Sequence, residues 1–175
     1  MGEIERGEHL VLRRLGLENL DEVMALYQAC PTFFLRLTGS AQATVEHVHA
    51  DISEGPPGFD PERNVFIGLY DTSSDELVGC ANVLVGWPEA GHGCFGLLLV
   101  SERQQRRGLG REASLLVERF AREQHGVRRM TLGVELVNAP ALQFWQAMGY
   151  RSTGERFENL VMDRVLECEA FAKLL

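Results

Sequence analysis

The chain reads as an α/β (α+β) protein: one domain in which a mixed sheet of about seven strands carries helices on its faces. Three observations predict this. Apolar runs of strand length alternate along the chain with stretches whose apolar residues recur every three to four positions. Residues 94–124 compress that alternation into one unit: an apolar run, a polar turn holding Gln105, Gly108 and Gly110, and an amphipathic helix. A chain of 175 residues with 45% apolar content can bury one good core, and nothing marks a second, so residues 1–175 are expected to form a single domain.

Taken in order, residues 10–15 predict the first strand. Asn19, with Glu22 three residues on, reads as a capping box that opens a helix whose apolar face is Leu20, Val23, Met24 and Tyr27. Cys30-Pro31 ends it, because the residue before proline is pushed out of the helical region. Residues 31–40 hold the aromatic pair Phe33-Phe34 and a Thr38-Gly39-Ser40 turn; a second helix follows over 41–54, with Val45, Val48 and Ile52 in phase. The Pro- and Gly-rich segment 55–61 breaks it. Strands are predicted at 65–70 and 77–87, joined by a hairpin loop at 71–75, and residues 88–93 lead into the central strand. In the helix at 108–124, Leu109, Ala113, Leu116, Val117 and Phe120 form the apolar stripe, Glu118 and Arg122 lie four apart on the charged face, and His125-Gly126 closes it. A strand at 129–136, a short helix at 139–148 led by Pro140, strands at 150–156 and 160–166, and a short terminal helix at 167–175 complete the chain.

Chemistry concentrates where the long helix begins. Gly108 and Gly110 fall where unpaired backbone N–H groups and the positive end of the helix dipole point at whatever lies in front of them. An anion fits there. Glycine removes the Cβ that would hold a pyrophosphate off the backbone, and Arg106, Arg107 and Arg111 add positive charge to an otherwise acidic chain. The same residues read equally as a tight turn beside a solvated basic face. No Gly-Lys-Ser/Thr follows, so the loop is not of the Walker type, and a single G-x-G falls short of the dinucleotide fingerprint.

Two strings carry a family resemblance. Val100-x4-Gln105-x-x-Gly108-x-Gly110 resembles the Q/R-x-x-G-x-G/A signature of the Gcn5-related N-acetyltransferase (GNAT) superfamily. Asn138-Ala139-Pro140-Ala141-x-x-Phe144-Trp145-x-x-x-Gly149-Tyr150 resembles that superfamily's N-x-x-A-x-x-(F/L)-Y-x-x-x-G-F element. The resemblance implies a GNAT-like, mostly antiparallel sheet splayed between its two central strands, with acetyl-coenzyme A as cosubstrate. It puts the pyrophosphate on Gln105, Arg106, Arg107, Gly108, Leu109, Gly110 and Arg111. The pantetheine arm would run along the main chain of Leu98, Leu99 and Val100, with Asn138, Phe144 and Trp145 beside it. Asn138 reads equally as a helix cap ahead of Pro140. The implied activity moves an acetyl group from acetyl-CoA to a primary amine of a small molecule, by direct transfer in a ternary complex. A CoA-thioester-binding regulatory module without turnover, a protein or peptide N-acetyltransferase, and a nucleotide-binding protein using the same loop stay open as alternatives.

A general base needs a pKa near the working pH, which points to His92, just before the central strand, and to Glu135, on one strand face with Thr131 and Gly133. Glu89 is a third choice. Each has a plainer role beside it: His92 as a loop residue between two glycines, Glu135 as an ion-pair partner. Three departures from the family bear on this. Trp145 stands where many members carry a tyrosine acid, and indole is no proton donor at neutral pH. Gly133 stands where members acting on ribosomal-protein N-termini place a glutamate, and the glutamate of histone-type members falls near Cys94. Proton return to the thiolate through water is then the remaining route. The acceptor wall is expected from residues 31–63, with Phe33 and Phe34 foremost and His47, His49 and Phe59 as further candidates.

A net charge of −8, from 17 basic against 25 acidic residues, disfavours nucleic acid and anionic membranes and favours cationic or neutral small substrates. Cys30, Cys80, Cys94 and Cys168 are scattered without metal-ligand spacing, so no metal is expected, and they read as thiols of a reducing cytoplasm. The acidic N-terminus is not a signal peptide, and no apolar run approaches the roughly 20 residues that span a bilayer. A soluble cytoplasmic protein is expected, and a homodimer is compatible with it.

Overall fold

The computed structural model describes residues 2–161 and 164–175. In chain order the elements are β1 (Glu3–Arg6), β2 (Leu10–Arg14), α1 (Leu20–Gln28), α2 (Pro31–Thr38), α3 (Val45–Ser53), β3 (Asn64–Asp71), β4 (Leu77–Val85), β5 (His92–Val100), α4 (Leu109–His125), β6 (Arg129–Glu135), α5 (Ala139–Ala147), β7 (Arg151–Val161) and β8 (Arg164–Leu174). The strands form one sheet in the order β1-β2-β3-β4-β5-β6-β8-β7. Every pair is antiparallel except β5–β6, which is parallel.

Alternation along the strands sends side chains into two layers. Leu10, Leu12, Ile67 and Leu69 pack on one face with Leu109, Leu116, Val117 and Phe120 of α4 and Trp145 of α5. Val11, Phe66, Tyr70 and Cys80 pack on the other face with Val23, Leu26 and Tyr27 of α1, Phe34 of α2 and Val48 of α3.

Among the described residues the sheet has eight strands rather than about seven. The additional one, β1, is four residues long with a single apolar side chain, too little for an alternation signal. Three further elements differ from expectation, the first being the last strand pair, which runs Arg151–Val161 and Arg164–Leu174 rather than 150–156 and 160–166. Residues 31–38 are helical, because Pro31, which ends α1, sits in the first turn of the next helix, where its missing N–H costs nothing. Residues 167–174 are strand, not helix: β8 runs unbroken to Leu174, paired on one side with β6 and on the other with β7. Asn19 stands at the N-cap of α1 but makes no side-chain cap bond to it; its side chain accepts from the Gly16 N–H at 3.2 Å, and Glu22 accepts the Tyr70 hydroxyl at 2.9 Å. Glu118 is buried rather than on the charged face of α4. It accepts from the Tyr150 hydroxyl at 2.9 Å and from Lys173 Nζ at 2.6 Å, and Arg122 pairs with Glu123 instead.

Two local features position the site. The β5–β6 ladder joins His92–Phe95 to Arg129–Leu132 and then stops, so the sheet forks beyond Phe95 and Leu132. On the other edge of β5, Asn82 faces Leu97 while Val83 faces Phe95, which leaves Gly96 as the extra residue of a β-bulge. Through it Phe95, Leu98 and Val100 reach the layer under α4, while Leu97 and Leu99 reach the layer under α1–α3. A Cβ at Gly96 would lie 2.4 Å from Asn82 Oδ1, so glycine is required by the close approach.

Candidate active site

Central strands of a sheet with helices on both faces are ordinarily covered, yet Gly96 on β5 and Gly133 on β6 are both exposed. The fork is therefore a cleft. Along it, residues 97–100 of β5 pair with β4 on one side only, and the backbone groups of their other edge face the opening, apart from Val100 O, which Gln105 takes. Such an edge offers N–H and C=O groups at strand spacing to any extended ligand that carries amides.

The open edge leads directly into the loop before α4. Gln105 folds back, its Nε2 donating to Val100 O at 3.0 Å, and Arg107 pairs with Gln104. Arg106 and Gly108 adopt left-handed backbone at φ 62° and 81°. No atom stands within 4 Å of where a Gly108 Cβ would be, so conformation, not crowding, selects that glycine. The first helical hydrogen bond here is Glu112 N–H to Gly108 O at 3.0 Å, and the amides of residues 105–111 have no acceptor among the described residues. These amides, the helix dipole and three arginines converge on one exposed turn, and Gln105, Arg106, Arg107, Gly108 and Arg111 are all exposed. Leu109 is core. Glu112 anchors this turn to β2, accepting from the His9 and Leu10 amides at 2.8 and 3.1 Å and meeting His9 Nδ1 at 3.0 Å. On the opposite flank Glu102 Oε1 accepts from Thr32 N–H at 2.7 Å, which ties α2 to the loop.

Beyond the fork the α5 residues close over the loop. Phe144 lies against Gly110, its ring 3.5 Å from where a Cβ would sit. Trp145 is buried between Phe95, Phe144 and Tyr150, with ring centroids 5.1, 4.9 and 5.0 Å away. Asn138 caps α5: its Oδ1 accepts from Ala141 N–H at 3.3 Å and from Arg36 Nη1 at 3.2 Å, while its Nδ2 donates to Glu135 Oε2 at 3.1 Å. Both ends of the amide are thus engaged within the protein, linking α2, β6 and α5 at the open end of the fork. Arg36 gave no signal in the sequence because residues 31–40 carried no helical reading.

The two base candidates separate. Glu135 stands at the open end of β6, on the sheet face toward α1–α3, opposite Cys168 in the register. His92 stands at the closed end, paired with Arg129, four residues or about 13 Å of strand short of Gly96. Its Nε2 lies 3.4 Å from Glu89 Oε1 and its Nδ1 is buried, so His92 and Glu89 pair with each other in the turn rather than with the fork. Cys94 lies between, partly buried near Thr131, and burial pushes its thiol up. Burial also holds the Cys168 thiol up at about 11, with the Glu135 carboxylate adding to it.

Residues 31–63 contribute less than expected. Phe34 is buried against Tyr27, Phe33 and His47, with Phe33 partly exposed at the margin. His47 accepts from the Thr44 amide at 2.8 Å as a cap of α3, His49 meets Ser53, and Phe59 packs edge-on against Trp87. Among the described residues no group of three or more His, Cys, Asp or Glu side chains is arranged to hold a metal ion, and no helix is long and apolar enough to cross a membrane.

The chain belongs to the acetyltransferase (GNAT) family, whose model matches residues 20–150. Among solved structures, an acetyltransferase from Thermus thermophilus aligns with a TM-score of 0.71 at 28% identity, over 99% of this chain and 100% of its own. The ribosomal-protein-S18-alanine N-acetyltransferase from Escherichia coli aligns at 0.66 and 18% identity, over 94% of this chain and 93% of its own. A chimera of spermidine N-acetyltransferase SpeG from Vibrio cholerae and hSSAT aligns at 0.72 and 13% identity, over 95% and 96%. At such identities the last two establish the fold alone. No curated protein matches the chain significantly. The fold and the family are those that the two sequence strings implied, and family members generally use acetyl-CoA.

Proposed function

We propose that this protein transfers an acetyl group from acetyl-CoA to the primary amine of a small molecule, within a ternary complex. The observation that supports it is the edge of β5 from Gly96 to Leu99, which no strand pairs, followed after one short turn at residues 102–104 by the unpartnered amides of residues 105–111. A pyrophosphate on those amides and a pantetheine arm along that edge would bring the thioester to the fork, where β5 N–H groups supply the oxyanion contact. The amine nitrogen attacks the thioester carbon, the C–S bond breaks, and the proton leaving nitrogen reaches the thiolate through water. Glu135, at the open end of the same face, takes that proton in passing or fixes the water that does. His92, held with Glu89 at the closed end, takes no part. The −8 charge favours a cationic acceptor. Of the two fold neighbours named for an acceptor, this favours the polyamine kind over the protein-terminal kind.

A regulatory coenzyme-binding module is the second reading, favoured by Trp145 where many members carry a tyrosine acid and by Gly133 where members acting on ribosomal-protein N-termini place a glutamate. Thermal shift with acetyl-CoA, ATP and NAD, followed by thiol release across an amine panel, separates the readings. Stabilisation by acetyl-CoA with amine-dependent thiol release is expected. Stabilisation without thiol selects the module, and stabilisation by ATP or NAD in place of the coenzyme overturns both.

A further inference from the structure

The geometry points to Phe157 as a specificity-determining wall of the acceptor cleft, one that admits amines on unbranched carbon and turns away amines on branched carbon. This rests on the acetyl-transfer reading of the fork. Gly133 is the first residue of β6 past the last β5–β6 pair, and it is exposed. A Cβ there would stand 2.5 Å from Cζ of Phe157, so the ring tip lies directly on the β6 backbone where the sheet opens. Phe157 gets there across two strands: it faces Cys168 on β8, which faces Glu135 on β6.

The position is unusual for what it does not do. Between Arg151 and Asn159 Phe157 is the only large apolar side chain of β7, and it keeps 42% of its surface exposed. It belongs to neither core layer. A phenyl ring left in an open cleft contributes little to folding; it shapes whatever enters. Two residues beyond Gly133 on the same face of β6 stands Glu135, so an aromatic face and a carboxylate flank the fork together, a pairing suited to a cationic amine. The glycine at 133 and the ring at 157 form one device, since any side chain at 133 displaces the ring.

The test compares n-butylamine with sec-butylamine, isomers that differ in the branch beside nitrogen, by thiol release, with coenzyme affinity measured separately by calorimetry. Wild type is expected to favour n-butylamine at least tenfold in kcat/KM. Phe157→Ala is expected to cut that ratio at least fivefold, chiefly by raising the branched isomer, with coenzyme affinity within twofold; Phe157→Leu falls between. Gly133→Ala is expected to lower turnover in wild type and to be nearly neutral when Phe157 is already Ala, as the contact between them requires, while the isomer ratio is the readout that a purely structural role does not move. An unchanged isomer ratio in Phe157→Ala and Phe157→Leu overturns the wall while leaving the transfer reading intact. Absence of thiol from either amine in wild type and variants, with coenzyme still bound, overturns the transfer reading and the wall with it.

Discussion

At Gly110 the Phe144 ring leaves ordinary van der Waals room for a methyl group, 3.5 Å from the ideal Cβ. Gly110→Ala should therefore fold and bind, while Gly110→Glu sets bulk and negative charge against the dipole end that would hold a pyrophosphate. We expect the glutamate variant to lose at least about 100-fold in acetyl-CoA affinity by calorimetry, in the range of a removed charge-assisted anion contact; unchanged affinity would remove the loop from the binding site. Asp51 offers a prediction about pH. Its Oδ2 accepts from the Tyr27 hydroxyl at 2.5 Å, and its carbonyl accepts from Asn64 and Asn82 Nδ2 at 3.2 and 2.6 Å. Burial pushes its carboxyl up from 3.8 to about 6 despite the tyrosine donor. A carboxyl raised in the folded state holds its proton more tightly there than in the unfolded chain. Its contribution is then complete below about pH 4 and is lost as pH rises through about 6, by at most about 3 kcal/mol. Urea unfolding of wild type against Asp51→Asn across pH 4 to 7 should show wild type losing ground to the variant as pH rises. Parallel curves would count against a raised carboxyl.

At the scale of elements, α4 and β8 meet through a buried charge. Glu118 holds the Tyr150 hydroxyl, Lys173 Nζ and, at 3.4 Å, Ser114 Oγ, and burial pushes the Tyr150 hydroxyl far up, so it remains a donor. Removing the cation leaves a carboxylate stranded, which costs about 3–5 kcal/mol in comparable buried pairs. Lys173→Met should lower stability by an amount of that order in urea denaturation, and Lys173→Met with Glu118→Gln should recover part of it. Additive losses would contradict the pairing. The sequence hid this contact for the reason it hid β8. Glu118 and Arg122 have ideal helical spacing for a surface pair, and the stretch Glu167 to Leu175, rich in Glu, Ala, Lys and Leu, has good helical propensity. Pairing with β6 and β7 overrides that propensity, and which strands lie alongside is not written locally. The helix α2 was hidden by its proline, whose role as terminator or first-turn residue depends on the chain before it.

At the scale of the whole molecule, two half-sheets, β1–β5 and β6–β8, are laddered together over only four residues of each central strand. Hydrogen exchange should find fast amides along the free edge of residues 96–100 and in residues 105–111, both slowing when acetyl-CoA is added, while the β7 edge stays unchanged. Protection confined to β7 and β8 would place the ligand elsewhere. The loop and the order of elements around it were legible because glycine spacing and amphipathic period are local signals. Glu135 was legible as a carboxylate on a strand, but its neighbours were not, since Arg36 and Phe157 come from α2 and β7 and reach Asn138 and Gly133 only once the sheet is ordered. The bulge at Gly96 carries one more consequence. Because Gly96 is the surplus residue, excising it would leave Phe95 opposite Val83 and Leu97 opposite Asn82, with every leucine still in its own layer. What the deletion removes is one exposed peptide unit at the mouth of the fork, with the extra twist that a bulge gives its strand. Such a deletant should be soluble and well folded yet bind acetyl-CoA more weakly by calorimetry, because that one glycine lends the cleft its reach and fills neither layer.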